Sequence, residues 1–99
     1  MGSHTVVDIS NYMEFEWSDE VLVARYISTE PLTLAVAEAL VQARLDFCEG
    51  QDHRLVISFP KLSAIQKDAK KFLSTDLAKK HITASAMVTP TLLSKMIIN

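Results

Sequence analysis

The chain has 99 residues, of which 48% are hydrophobic and 22% charged, and its formal net charge at pH 7 is −2. These values are typical of one globular domain, and only two glycines and three prolines argue against a disordered or turn-rich all-β protein. A single cysteine excludes an intramolecular disulfide and a multi-cysteine zinc site, and no apolar run approaches the roughly 18–20 residues that span a bilayer, so we expect a cytoplasmic protein with no membrane partner.

The first predicted elements are β-strands that pair as a hairpin. Residues 5–9 are rich in β-branched side chains, and residues 12–17 alternate large apolar side chains with glutamates. That period of two is typical of a strand with one buried face and one solvated face. Residues 18–20 predict a turn, and residues 21–27 an antiparallel return strand. The apolar face holds Met13, Phe15 and Trp17, and the solvent face holds Glu14 and Glu16.

A long amphipathic helix is predicted after the hairpin. It begins near residues 29–31 or at Thr33, since either threonine offers a side-chain oxygen as a cap. It ends before Gly50, because glycine suits the position just past a helix. Apolar residues recur at a period of 3.6, which predicts one buried face. That face holds Leu34, Ala37, Val41, Leu45 and Cys48.

The rest of the chain alternates strands and helices. Residues 54–59 are mostly apolar, which is typical of a central strand covered on both faces. Residues 65–80 predict a second helix, residues 82–88 another buried strand, and Thr89 the cap of a third helix. Strands joined through helices run parallel with right-handed crossovers. We therefore predict an α/β domain over residues 1–99, whose mixed sheet of four or five strands joins an N-terminal antiparallel hairpin to a parallel βαβαβ core.

The segment from Leu55 to Leu73 carries a family resemblance. It reads Leu-Val-Ile-Ser-Phe-Pro-Lys-Leu-Ser-Ala-Ile-Gln-Lys-Asp-Ala-Lys-Lys-Phe-Leu, which is an apolar strand, a short loop and an amphipathic helix. It resembles the core of STAS domains, the SpoIIAA-like family of bacterial anti-sigma-factor antagonists, and is similar to a group of uncharacterised bacterial STAS-like proteins. The resemblance covers residues 12–99 through element order and hydrophobic pattern. It implies a non-enzymatic domain that binds and regulates other proteins.

Three positions depart from the STAS pattern, in which an acid ends the strand and Asp-Ser-Ser-Gly opens the helix. The strand-end acid is Ser58 here, the helix-start aspartate is Gln66, and the phosphorylated serine is Lys67. A lysine cannot serve as that phosphorylated hydroxyl, so the usual kinase switch should be absent. The resemblance still implies that loop 60–68 and the helix N-terminus form the contact surface. The implied partner-binding residues are Lys61, Gln66, Lys67, Lys70 and Lys71.

The C-terminal helix predicts self-association. The resembled proteins continue with a further strand and helix, whereas this sequence stops at Asn99, so we expect a short or truncated member. An apolar helix beside an open sheet edge is a surface that a second copy can cover, which predicts a homodimer or larger homo-oligomer. The alternative is that the same side chains complete a monomer core. The predicted interface consists of Leu93, Met96, Ile97 and Ile98.

Charge is distributed unevenly along the chain. Residues 1–52 contain ten of the twelve acids and two basic residues, whereas residues 53–99 contain eight basic residues and two acids. Either these opposite charges face each other or water in the fold, or the basic half presents a face to an anion or an acidic partner. Six lysines of the basic half form a cluster in the sequence that lacks the interleaved aromatic residues of nucleic-acid-binding surfaces, so we expect no nucleic-acid partner. They are Lys61, Lys67, Lys70, Lys71, Lys79 and Lys80.

No motif predicts catalysis. The three histidines lie far apart in sequence, and the chain has no glycine-rich phosphate loop and no nucleophile elbow. We therefore expect no metal site, no cofactor and no enzymatic activity. The favoured function is a self-associating, STAS-like protein-interaction or regulatory module. The alternative is a module that binds a small molecule or an anion in the crevice at loop 60–68.

Overall fold

The computed structural model describes residues 8–60 and 64–98, with side chains described as far as residue 95. A short 3-10 helix, Ile9–Asn11, precedes four strands and three α-helices. The four strands lie side by side in chain order in one sheet, where the first two pair antiparallel and the others pair parallel. The predicted α/β fold with a mixed sheet is confirmed. The elements are β1 (Met13–Ser18), β2 (Val21–Tyr26), α1 (Leu34–Cys48), β3 (His53–Ser58), α2 (Lys67–Leu73), β4 (Ile82–Val88) and α3 (Pro90–Ile98).

The β1–β2 hairpin follows the alternation in the sequence. A two-residue turn joins the strands, and its first residue, Asp19, has a φ of 56°, a conformation that aspartate tolerates better than most residues. Met13 is buried, whereas both glutamates of β1 are exposed on the other face. One of them, Glu16, forms an ion pair with Arg25 of β2. The glutamates therefore belong to the solvated side of an edge strand, as predicted.

The prediction of a strand at residues 5–9 is wrong for residues 8 and 9, the part of this range that the structure describes. Residues 5–7 lie outside the described residues, while Ile9 begins the 3-10 helix. Asp8 caps that helix, because its carboxylate accepts hydrogen bonds from the backbone N–H and the hydroxyl of Ser10. An aspartate that bonds the backbone two residues on favours a turn over a strand.

Helix α1 begins at the second of the two predicted starts, with Thr33 as its cap. The hydroxyl of Thr33 accepts a hydrogen bond from the backbone N–H of Val36 over 3.3 Å. At the other end Glu49 adopts the left-handed conformation, followed by Gly50 with a φ of 79°. The left-handed residues stop the helix one residue earlier than predicted. The fully buried face consists of Val36, Ala37, Leu40, Val41, Arg44 and Cys48.

The core lies between one face of the sheet and the two crossover helices. Leu22 and Leu55 on neighbouring strands pack in the same cluster as Ala37 of α1 and Ala69 of α2. Both helices cover the same face because successive right-handed crossovers that move in one direction along a sheet put their helices on one side. Val23 points to the opposite face and is also buried.

Two elements of the second half differ from prediction. Helix α2 ends at Leu73, since the hydroxyls of Ser74 and Thr75 donate to the last-turn carbonyls of Lys71 and Phe72 and the chain turns away. The predicted burial of residues 82–88 is wrong. They form the last strand of the sheet, paired with β3, and residues 83–87 are exposed. A run of small uncharged residues indicates a strand but not its lateral place in the sheet.

Candidate functional site

A cavity of about 440 Å³ lies between the sheet and helices α1 and α2. All four strands contribute side chains to its lining, and α1 forms its roof. Its deep part is apolar, while its β4 side is lined by residues that are exposed to solvent. The cavity is therefore a groove that opens over the last strand. Representative lining residues are Phe15, Leu40, Leu55, Ile57, Leu73 and Met87.

Two residues of the lining are charged, and both are basic. Arg44 projects from α1 and Lys79 lies in the turn that follows α2. No aspartate or glutamate of the described chain lines this cavity. The cavity therefore combines an apolar interior with positive charge.

Arg44 is buried, with 4% of its surface exposed. Its Nη1 donates to Nε2 of His53 over 3.1 Å, and its Nη2 donates to the backbone carbonyl of Ala78 over 3.0 Å. Neither acceptor is charged. Burial lowers the pKa of the Arg44 guanidinium from its ordinary value, an effect that Cys48 partly offsets. A guanidinium nevertheless stays protonated in proteins, so Arg44 is a buried cation.

His53 is held in one tautomer. A guanidinium can only donate, so Nε2 of His53 accepts and carries no proton. The ring proton is on Nδ1, which donates to the backbone carbonyl of Gln51 over 2.9 Å. The rings of His53 and Trp17 are also perpendicular neighbours, with a centroid distance of 5.8 Å and an interplanar angle of 89°. His53 is buried, with 3% of its surface exposed.

The sequence carried a signal for Arg44 that the predicted helix face missed. Arg44 follows Val41 by three residues and precedes Cys48 by four, so it falls within the buried stripe. Leu45, predicted to be on that face, is only half-buried. The partnership with His53 had no local signal, since it forms only after α1 packs across β3.

The surface predicted from loop 60–68 is described only in part. Lys61 lies outside the described residues. Gln66, Lys67, Lys70 and Lys71 are all exposed, and the three lysines belong to the seven-residue helix α2.

The end of that loop is anchored to the segment before α1. The backbone N–H of Leu32 donates to the carbonyl of Ala64, and that of Gln66 donates to the carbonyl of Leu32. Ile65 is buried between these bonds and lines the same cavity as Arg44. The described end of loop 60–68 therefore contributes Ile65 to one end of the groove.

The predicted oligomer interface lies in α3. Leu93 is 4% exposed, so residues of its own chain already cover it. Its neighbour Leu92 is 47% exposed. The side chains of Met96, Ile97 and Ile98 lie outside the described part, although their backbone continues the helix.

The comparisons with known proteins place this architecture in a family. Residues 15–99 match the family model described as "Domain of unknown function (DUF7793)". The chain belongs to the DUF7793 family. The match to DUF7793 includes the four strands, apart from the first two residues of β1, and the three α-helices, and it begins after the 3-10 helix. No curated protein and no solved structure matches the DUF7793 chain at a significant level.

Within residues 8–60 and 64–98, no three histidine, cysteine or acidic side chains are grouped as metal ligands. His81 instead pairs with Asp52, with its Nδ1 2.9 Å from a carboxylate oxygen. None of the helices in the described segments has the length and apolar character needed to cross a bilayer.

Proposed function

We propose that this domain is a non-catalytic, STAS-like interaction module that self-associates through the free edge of β4, the edge that pairs with no other strand of the described chain. The observation that carries the proposal is the composition of that edge. Its seven residues, Ile82–Val88, include no charge and no proline. Proteins normally protect an exposed edge strand with charges, prolines or bulges. The register of β4 is irregular only at its start, where the partner of His53 is Ile82 and that of Arg54 is Ala84, so the rest of the edge is a surface for strand pairing.

The backbone of β4 has groups available for such pairing. The carbonyl of Val88 accepts a hydrogen bond from the N–H of Phe59, so Val88 points its backbone groups toward β3. In a parallel ladder, alternate residues point to the same neighbour, so Ala86 shares this direction. Ser85 and Met87 therefore direct their N–H and C=O groups to the free edge.

In this proposal a second copy of the same chain pairs with this edge. Two β4 strands related by a two-fold axis run antiparallel, and each supplies the same donors and acceptors to the other. The two sheets would join into one continuous sheet of eight strands. The small, uncharged side chains of Thr83, Ala84, Ser85 and Ala86 place no like charges opposite each other in this arrangement.

The STAS-like part of the proposal is supported by topology. An antiparallel N-terminal hairpin followed by parallel strands with helical crossovers is the arrangement that the resemblance implies. Lys67 occupies the position of the phosphorylated serine and cannot form a phosphoester, so this module has no kinase switch. Its lysine surface, which we define as Lys67, Lys70 and Lys71, would suit an acidic protein partner.

The experiment is a measurement of molar mass in solution by light scattering coupled to size exclusion. We expect the wild-type chain to be a dimer and Ser85→Pro to be a monomer. Proline removes an N–H that points to the free edge and leaves the bonds to β3 in place, which is why edge strands tolerate it. Circular dichroism checks that the variant keeps its fold.

Two matched variants separate β4 from the terminal helix. Leu92→Lys changes an exposed residue of α3 and should leave the dimer intact, while Ile97→Asp tests the interface predicted from sequence. A dimer that Ile97→Asp dissociates and Ser85→Pro does not would move the interface to α3. A wild-type monomer at the highest attainable concentration would remove self-association from the proposal.

A further inference from the structure

The cavity roofed by α1 has the size and character of a ligand site. Its volume of about 440 Å³ lies within the range of roughly 300–1,000 Å³ of small-molecule pockets, which are mostly apolar with a few polar groups that orient the ligand. Core side chains line it on both sides: Leu40 of α1 belongs to its roof and Leu55 of β3 to its floor. An apolar molecule in the deep part of this groove would be shielded from water by α1 and the sheet.

Arg44 gives the cavity a defined polar end. A buried cation is costly unless a charged partner or a full set of hydrogen bonds compensates it. In the described chain no carboxylate lies within 4.0 Å of this guanidinium, because the described ion pairs are Arg25 with Glu16 and His81 with Asp52. Its partners, His53 and the carbonyl of Ala78, are neutral.

The guanidinium also has unused hydrogen-bonding capacity. It carries five N–H donors in a planar fork, and two of them have acceptors among the described residues. The remaining donors match an oxyanion, which a guanidinium binds with two parallel hydrogen bonds. Lys79, which follows Ala78 in the chain, adds a second positive charge to the lining.

We propose that this cavity binds an apolar ligand with a single oxyanion group, such as a medium-chain fatty carboxylate, with the oxyanion at Arg44. The apolar chain lies along β3 beneath α1, toward Phe59 and Ile65. The ligand enters from the side of β4, where Ser85 and Met87 are exposed. This inference does not depend on self-association.

The test is isothermal titration of the full chain with decanoate, decyl phosphate and decan-1-ol, each below its aggregation concentration. At least one of the two anions should bind, and the tighter one identifies the head group. The alcohol should bind about 10- to 100-fold more weakly, which is the effect of losing hydrogen bonds to a charged group. Equal affinity for the alcohol and both anions would overturn the role of Arg44, and no binding of any probe would overturn the site.

Two variants locate the binding within the chain. Arg44→Met should weaken anion binding by about 10- to 100-fold and leave alcohol binding nearly unchanged. Arg54→Met is the matched control, because Arg54 is an exposed cation on the opposite face of β3. An Arg44→Met affinity equal to that of the control would refute the proposal.

Leu73→Trp keeps the test decisive if Arg44→Met fails to fold. Leu73 lines the cavity from α2 and is only half-buried, so a larger apolar side chain there fills the cavity with little effect on the core. The variant should lose binding of all three probes. Retained binding in folded Leu73→Trp would place the ligand elsewhere on the molecule and overturn the site.

Discussion

Nε2 of His53 accepts a hydrogen bond from Nη1 of Arg44 over 3.1 Å, and both residues are buried. The bond joins the C-terminal half of α1 to the first residue of β3. Nδ1 of the same ring donates to the backbone carbonyl of Gln51, which holds the ring in place. The ring in turn holds the guanidinium. The position of the buried cation therefore depends on a neutral ring with one defined tautomer.

Loss of the His53 acceptor should destabilise the fold. His53→Leu removes the acceptor and leaves Arg44 buried with one hydrogen bond fewer. We expect the free energy of unfolding to fall by about 1.5–3 kcal/mol, the range for hydrogen bonds to charged groups. Urea denaturation measures the difference. His53→Gln is the comparison, since its amide oxygen can still accept from the guanidinium, and an equal loss in both variants would show that ring packing dominates.

The Thr33 cap should contribute measurably to α1. Thr33→Ala removes the oxygen that accepts from the N–H of Val36, and helix caps of this kind contribute about 0.5–2 kcal/mol. Thermal unfolding followed by circular dichroism should show a lower midpoint for the alanine variant. Thr33→Ser keeps the oxygen and should stay close to wild type. A midpoint unchanged in Thr33→Ala would mean that packing alone sets the start of the helix.

Tyr26 should make the fold sensitive to alkaline pH. Burial raises the pKa of its phenol above the ordinary value of 10.0, and Tyr12 and Glu30 raise it further while Ser28 opposes the shift. The phenol donates to the backbone carbonyl of Glu30 over 2.9 Å, which favours the protonated form. Because the pKa is higher in the folded state, this contribution is complete below pH 10 and is lost as the pH rises through the folded-state pKa.

The measurement compares wild type with Tyr26→Phe by denaturant unfolding at pH 8 and at a pH above 10. Phenylalanine keeps the ring contact with Phe59, whose centroid lies 4.4 Å away, and cannot ionise. The unfolding free energy of wild type should therefore fall more than that of the variant between the two pH values. Identical falls would assign the alkaline sensitivity to other groups.

The parts of the fold that sequence predicted are those set by local pattern. The alternation of Met13, Phe15 and Trp17 predicted the hairpin face, and the threonine at position 33 predicted the start of α1. The exposed position of β4 was not predictable in this way, because the order of strands depends on contacts between distant segments. For the same reason the pairing of Arg44 with His53 could not be read from either residue alone.

The early end of α2 reflects a competition between continuing the helix and turning the chain, and the hydrophobic pattern does not decide between them. Residues 65–80 have enough helix formers and apolar spacing for a long helix, yet two hydroxyls satisfy the carbonyls of the last turn and the chain turns. The turn then brings the carbonyl of Ala78 to Arg44. The turn after α2, which the sequence pattern did not predict, therefore supplies an acceptor to Arg44 at the polar end of the cavity.

The contact between Trp17 and His53 gives this molecule an intrinsic fluorescent probe. Trp17 is the one tryptophan of the chain, and its indole meets the ring that holds the guanidinium. Indole emission depends on neighbouring charges and on water, so changes near Arg44 should alter its intensity or colour. Events inside the groove can therefore be followed in the unmodified protein, in real time and without a dye.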